Sequence, residues 1–239
     1  MNHSISELST KLFADGADLK GMLEMNSKAF IHGLTTNPTL MRKAGITDYV
    51  KFAKEVLNEI TLKPVSFEVF SDEVEEMKRQ ALTIANWGEN VYVKIPVTDT
   101  GGKSMAEVIR FLTERGVKVN VTALMTASQV SEVAKVLDKI TPSYVSVFAG
   151  RISDTGRDPV PIMKHALDIL KTHPNAELIW ASPRELRNIV QASEIGCHII
   201  TATTEILNKL SLINKDLEVY SLETVQMFYE DAKAAKYFI

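Results

Sequence analysis

Short apolar runs rich in β-branched residues alternate along this chain with longer segments of helical spacing. The runs are 11–17, 31–37, 65–69, 91–97, 118–123, 144–150, 178–182 and 198–203. Between them, apolar residues recur every three or four positions. Val50, Ala53, Val56, Leu57 and Ile60 form one stripe, and Met105, Val108, Ile109 and Leu112 form another. Such runs read as strands covered on both faces, the setting of a parallel sheet between helices. Eight strand–helix alternations predict an α/β fold, a (β/α)8 TIM barrel; a doubly wound open sheet is the alternative. With 239 residues, 45% of them hydrophobic, the chain suits a single barrel domain over 1–239. Leu222, Val225, Met227, Phe228 and Ala232 predict an extra C-terminal helix over 221–236. Asp72 with Glu75, Thr126 with Gln129, and Ser182 with Glu185 read as capping boxes, and Pro183 as a first helical residue.

The charge balance excludes some partners. A formal net charge of −3 argues against a nucleic-acid surface, which needs a basic excess. No apolar run approaches a membrane span, and the polar first residues lack the apolar core of a signal peptide. A single cysteine, Cys197, excludes an internal disulfide and fits a reducing compartment, so cytoplasmic localisation is expected.

One residue is out of place in this pattern. Lys94 is the only charge in Val91-Tyr92-Val93-Lys94-Ile95-Pro96-Val97. Strand alternation puts Tyr92, Lys94 and Pro96 on one side and Val91, Val93 and Ile95 on the other. The apolar set suits the helices, so Lys94 faces the barrel interior. Burial disfavours an ammonium, and a neutral buried lysine is a Schiff-base nucleophile. A lysine that pairs with an acid, or snorkels to the strand end, explains the strand equally well.

Polar residues gather at the ends of other strands, where barrel chemistry sits. They are Asp15 on the first, Thr35, Thr36 and Asn37 on the second, and Glu68 on the third. Asn120 and Thr122 lie on the fifth, Ser146, Phe148 and Arg151 on the sixth, and Ser182 and Arg184 after the seventh. Each has a structural explanation of its own. Asp15 and Ser182 suit helix caps, Asn37 a turn before Pro38, and Glu68 a structural ion pair. Thr122 suits a strand by propensity, and Arg151 a bridge between loops. Their joint placement around one lysine is what structure alone explains poorly.

The segments Phe13-Ala14-Asp15, Thr35-Thr36-Asn37-Pro38, Val93-Lys94-Ile95-Pro96, Asn120-Val121-Thr122, Ala149-Gly150-Arg151-Ile152 and Ala181-Ser182-Pro183-Arg184 resemble the transaldolases. That superfamily includes the fructose-6-phosphate aldolases, and the segments run in its order. The resemblance implies a class I mechanism with no metal and no organic cofactor. Lys94 would form an imine with a ketose phosphate. Asp15 would be the acid–base aspartate, and Glu68 and Thr122 would hold a catalytic water. Thr35, Asn37, Asn120, Ser146 and Phe148 would line the sugar. Arg151, Ser182 and Arg184 would bind its phosphate, with Ser182 also capping a helix.

Two positions bear on the reaction. The transaldolases are similar in carrying glutamate and phenylalanine where this chain has Glu68 and Phe148; the aldolases carry glutamine and tyrosine. The resemblance therefore implies transfer of a dihydroxyacetone unit, in the manner of the pentose phosphate pathway, with release of free dihydroxyacetone as the alternative. It also implies a homo-oligomer, a pentamer or decamer. Gly16 departs from the hydroxyl residue common after the aspartate. Arg157 is expected to pair with Asp154 or Asp158, and a sulfonate is an alternative to the phosphate.

Overall fold

The computed structural model describes residues 7–238. Each apolar run overlaps a strand: β1 (Lys11–Asp15), β2 (Ile31–Thr35), β3 (Val65–Glu68), β4 (Val91–Pro96), β5 (Val119–Leu124), β6 (Ser143–Val147), β7 (Ala176–Trp180) and β8 (Ile199–Thr203). All pair in parallel with their sequence neighbours, and β8 pairs with β1 from Lys11↔Ile199 to Asp15↔Thr203. The sheet is therefore a closed barrel, not the open alternative. Around it run α1 (Leu19–Ser27), α2 (Pro38–Lys43), α3 (Tyr49–Glu59), α4 (Val74–Ala85), α5 (Ala106–Thr113), α6 (Ala127–Ala134), α7 (Ala149–Ser153), α8 (Val160–Leu170), α9 (Leu186–Glu194) and α10 (Thr204–Leu207).

Two apolar clusters sort the strand residues by face. Val93, Ile95, Val119, Val121, Val145 and Val147 point outward, fully buried, and pack with helix residues such as Met77, Val108 and Leu112. Burying one such side chain stabilises the fold by about 1.5–3 kcal/mol. Phe13, Tyr144, Ile179, Ala181 and Ile199 form a separate cluster inside the barrel, joined by Tyr92 and Phe148. Tyr92 stacks on Tyr144 with ring centroids 4.0 Å apart, and Phe13 meets Tyr144 edge-on at 5.7 Å. Gly33 makes that plug possible: a Cβ there would lie 2.5 Å from the Phe13 ring. The plug separates the Lys11–Glu177 ion pair, at the N-terminal strand ends, from the polar layers above it.

Several local expectations change at the strand ends. Thr126 and Gln129 do form a capping box on α6. Asp72 does not cap α4, whose N-cap is Glu73; its carboxylate instead accepts the Thr100 N–H at 2.8 Å. Ser182 is not an N-cap, and Pro183 is not a first helical residue. The helix α9 begins later, with Asn188 Oδ1 accepting the N–H groups of Arg184 and Glu185 at 2.8 and 3.2 Å. Ser182 is left in the turn with φ 59°, a left-handed conformation that costs a non-glycine residue about 1–2 kcal/mol.

The extra C-terminal helix is present as α11 (Leu217–Ala234). It starts before 221 because Asp216 caps it, accepting the Glu218 and Val219 N–H groups at 3.0 and 2.9 Å. None of its residues is buried. Among the described residues, no helix is long and apolar enough to cross a membrane.

Candidate active site

Lys94 lies one interior layer above Tyr92, and only 6% of its surface is exposed. The lysine faces inward, as strand alternation expects, and it pairs with an acid rather than snorkelling to the strand end. Its Nζ is 3.1 Å from Glu68 Oε2 and donates to the Thr36 carbonyl at 2.8 Å. The β3–β4 register sets the ion pair directly, because Glu68 lies opposite Lys94. Tyr49 fixes the end of β3 from outside by donating its hydroxyl to the Glu68 carbonyl at 2.8 Å.

A second acid completes the chamber. Asp15 ends β1, and its Oδ1 accepts the Thr35 hydroxyl at 2.8 Å. Thr35 Oγ1 is in turn 2.6 Å from Thr201 Oγ1 on β8. Since the Thr35 proton goes to Asp15, Thr35 accepts from Thr201, giving a chain from Thr201 through Thr35 to Asp15. Burial raises the Asp15 carboxyl above its ordinary value; the Lys94 charge and the Thr35 hydrogen bond partly offset that rise, and the Glu68 charge adds to it. The arrangement is thus a buried amine between two acids of different setting, which suits proton transfer at neighbouring atoms.

The adjoining wall, where Asn120 stands beside Lys94 in register, is neutral and hydrogen-bonded. Asn120 donates through Nδ2 to Ser66 Oγ at 3.1 Å, and its Oδ1 accepts the Ser146 hydroxyl at 2.7 Å. Thr122 differs: its Oγ1 is buried with no hydrogen-bond partner among the described residues. A buried hydroxyl of this kind costs free energy unless something polar meets it. Ala123, next to it, has φ 65°, where the β5–β6 register shifts between Val121 and Leu124. That irregularity ends the alternation beyond Thr122.

The remaining candidates form a rim outside the strands. Asn37 Oδ1 caps α2 by accepting the Leu40 N–H at 3.0 Å, with Pro38 in the first helical turn. Phe148 is the N-cap residue of α7, and Arg151 lies inside that helix instead of closing β6. The exposed Arg151 guanidinium sits 5.6 Å from the centre of the Phe148 ring. Arg184 donates through Nε and Nη2 to Asp154 at 2.9 and 2.5 Å, and through Nη1 to Ser182 Oγ at 3.0 Å. The expected Arg157 pair is thus not the one formed with Asp154; Arg157 bonds the Thr155 hydroxyl at 2.8 Å.

Gly150 locks the rim together. A Cβ at this position would fall 1.6 Å from the Ser182 carbonyl oxygen, so α7 and the turn after β7 touch through backbone. A cavity of about 460 Å³ opens beside Asp15, walled by α1, α2 and α10 residues including Met25, Leu40 and Glu205. It reaches Asp15 without reaching Lys94. Among the described residues, no group of three or more His, Cys, Asp or Glu side chains is placed to hold a metal ion.

Thr201, Ser66 and Tyr49 escaped the sequence reading. Strand alternation places Thr201 two residues before Thr203 on the interior face, a usable signal. Ser66 follows by the same rule from Glu68. Tyr49 lies on a helix, and nothing local marks it.

This chamber sits within a recognisable family. The family described as Transaldolase/Fructose-6-phosphate aldolase matches residues 12–238. The chain belongs to that family. Relatives named "Probable transaldolase" match over most of its length. One from a Thermoanaerobacter species is 34% identical over 201 residues, covering 84% of this chain and 88% of that protein. One from Brucella ovis is 35% identical over 214 residues, covering 88% and 94%. The fold is also similar to a crystal structure described as a "putative phosphonomutase" from Burkholderia cenocepacia, with a TM-score of 0.56. That chain is 12% identical, with 95% and 96% of the two chains covered, so the likeness concerns the barrel alone. In the transaldolase/fructose-6-phosphate aldolase match, every residue from Asp15 to Arg184 named above lies inside the aligned range.

Proposed function

We propose that this protein is a Schiff-base transaldolase that moves a dihydroxyacetone unit from a ketose phosphate to an aldose phosphate. The observation that carries the reading is Lys94, buried inside the barrel with Glu68 3.1 Å from its amine. Glu68 takes the ammonium proton, and the free amine adds to the C2 carbonyl. Glu68 and the unspent Thr122 hydroxyl then move protons while the carbinolamine loses water. The resulting iminium is an electron sink. Asp15 removes the C4 hydroxyl proton, the C3–C4 bond breaks, an aldehyde leaves, and its bonding pair forms an enamine on Lys94. Addition of the enamine to an acceptor aldehyde, with the Asp15 proton returned to the new alkoxide, and hydrolysis of the imine complete the transfer.

The neutral polar side chains favour the three-carbon unit. Ser146, Asn120 and the Nδ2 amide of Asn37 present polar atoms to its hydroxyls. Arg151, Ser182 and Arg184 meet the anionic end. Phe148 supplies no hydroxyl to protonate the enamine, so transfer outruns release. The chemistry needs no metal and no organic cofactor, and the whole of 1–239 serves it as one barrel domain with an appended helix.

Borohydride reduction with fructose 6-phosphate, read by mass spectrometry, tests the mechanism. A three-carbon adduct on Lys94 is expected, and Lys94→Ala abolishes it; no adduct on the native chain would sink the reading. Free dihydroxyacetone produced in the absence of acceptor would move the reaction to the aldolase alternative. A sulfonated sugar that outcompetes the phosphate would change the substrate and keep the mechanism.

We also propose a cytoplasmic homo-oligomer, a pentamer or decamer. The support is α11, which leaves Leu222, Val225 and Phe228 about 60% exposed, an apolar surface that association would cover. Light scattering that gives a monomer mass at micromolar concentration would overturn this.

A further inference from the structure

A carboxylate sits inside the rim that this reading assigns to the anionic end of the substrate. Asp154 follows α7 and takes the side-on edge of the Arg184 guanidinium, with Nε–H donating to Oδ1 at 2.9 Å and Nη2–H to Oδ2 at 2.5 Å. Nη1 donates to Ser182 Oγ at 3.0 Å. A guanidinium has five N–H bonds in one plane. Three are spent here, which leaves two, one on each Nη. Ser182 Oγ is an acceptor toward Arg184, so its own proton is left to donate elsewhere. Two N–H groups and one O–H therefore form a single neighbouring set of donors.

The backbone makes that set rigid. Gly150 brings α7 against the Ser182 carbonyl, and Ser182 is held at φ 59°. The Arg184 N–H is tied to Asn188 Oδ1 at 2.8 Å. Asp154 is the side-chain component of the same frame. Its carboxyl is held below its ordinary value, first by the Arg184 hydrogen bond and then by the charges of Arg184 and Arg151, so it stays ionised at neutral pH. An exposed ion pair contributes little to stability, but a bidentate one fixes orientation. Without it, a long exposed arginine samples many rotamers and must be ordered again by each ligand.

We propose that Asp154 is a positioning residue, which aims the free edge of Arg184 and the Ser182 hydroxyl at the anionic group of the substrate and so sets the preference for phosphorylated over neutral acceptors. This rests on the transaldolase reading, but it makes a separate claim. Asp154 touches neither the reacting carbons nor Lys94. Its effect lies in substrate binding and leaves the chemical step alone.

The test compares glyceraldehyde 3-phosphate with glyceraldehyde as acceptors at saturating fructose 6-phosphate, using the full chain and Asp154→Asn. An amide can accept from one of the two side-on N–H groups, so the fork is half lost. The KM for the phosphorylated acceptor is expected to rise about tenfold, an ordinary cost of misorienting one binding group. The kcat for that acceptor and both constants for glyceraldehyde stay within about twofold, as expected when only orientation of the anion site changes. The borohydride adduct with dihydroxyacetone on Lys94 forms as in the native chain. Arg184→Lys keeps the charge and loses the fork; adding Asp154→Asn to it should cost nothing further, since both act through one guanidinium. A lower KM for the phosphorylated acceptor would show Asp154 to be a competitor for Arg184 and overturn the proposal. Equal losses with both acceptors, or additive losses in the double variant, would overturn it too. Absence of any Lys94 adduct in the native chain would instead sink the transaldolase reading itself.

Discussion

The chamber around Lys94 and the rim around Arg184 are built by different means. Lys94, Glu68, Thr35, Thr201, Asn120 and Ser146 all sit on strands, and the barrel register places them before any side chain bonds another. Phe148, Arg151, Ser182 and Arg184 sit on turns and a short helix, and they are placed by one another. The chamber is buried, and in the proposed reaction its groups act on protons and bonds. The rim is exposed, and there its groups act on charge. A strand-borne centre tolerates changes at the rim because the sheet holds it independently. The rim has no such second support, which is why a single backbone contact at Gly150 matters to all of it.

Gly150→Ala is the largest break this comparison offers. The new Cβ would meet the Ser182 carbonyl oxygen at 1.6 Å and its carbon at 2.7 Å. Backbone on both sides must move, a clash that costs about 3 kcal/mol. For a chain of this length that lowers Tm by about 6–12 °C. The sharper expectation is the pattern of loss. Binding of a phosphorylated acceptor weakens sharply, while reduction still traps dihydroxyacetone on Lys94 at a temperature where the variant is folded. Calorimetry and the adduct assay on one sample give both results. Simultaneous loss of the adduct from folded protein would show that chamber and rim are one unit, contrary to the distinction drawn here.

The same distinction explains what the sequence made legible. Period-two alternation turns Lys94, Asn120 and Ser146 inward once the apolar residues of β4, β5 and β6 are given to the helices. The barrel itself follows from the count of strand–helix alternations. The rim lacks any such period. Ser182 followed by Pro183 and Glu185 has the spacing of a helix start, yet a tertiary contact with Gly150 holds Ser182 in a left-handed turn and moves the start of α9 to Leu186. In one dimension Arg157 is the expected partner of Asp154, and only the meeting of α7 with the β7 turn brings Arg184 there instead. Alternation alone does not single out Thr201, because an interior threonine on β8 resembles an ordinary strand residue; its hydroxyl is distinguished only by reaching Thr35.

The Thr35 hydroxyl makes a finer test, aimed at the chamber alone. Thr35→Val keeps the shape of the side chain and removes its donated bond to Asp15, at 2.8 Å in the native chain. The bond holds the Asp15 carboxyl down against the rise caused by burial, so its loss raises that carboxyl further. In the proposed mechanism Asp15 must be ionised to accept the C4 proton, and the rate on the acid side is therefore expected to fall at higher pH than in the native chain. The acidic limb of a kcat/KM profile should move upward, whereas Asp154→Asn should leave that limb in place. Stability shifts in a related way. A folded carboxyl that binds its proton more tightly than the unfolded one makes stability decline as pH climbs from the ordinary value of 3.8 to the raised folded value. Thr35→Val extends that window upward. Denaturant titrations at several pH values should then show the variant losing ground to the native chain as Asp15 ionises, while their difference at lower pH reflects only the changed packing and the lost bond to Thr201. An unmoved limb together with an unchanged pH slope would mean that Thr35 does not govern Asp15, and that the chain from Thr201 merely fills the barrel.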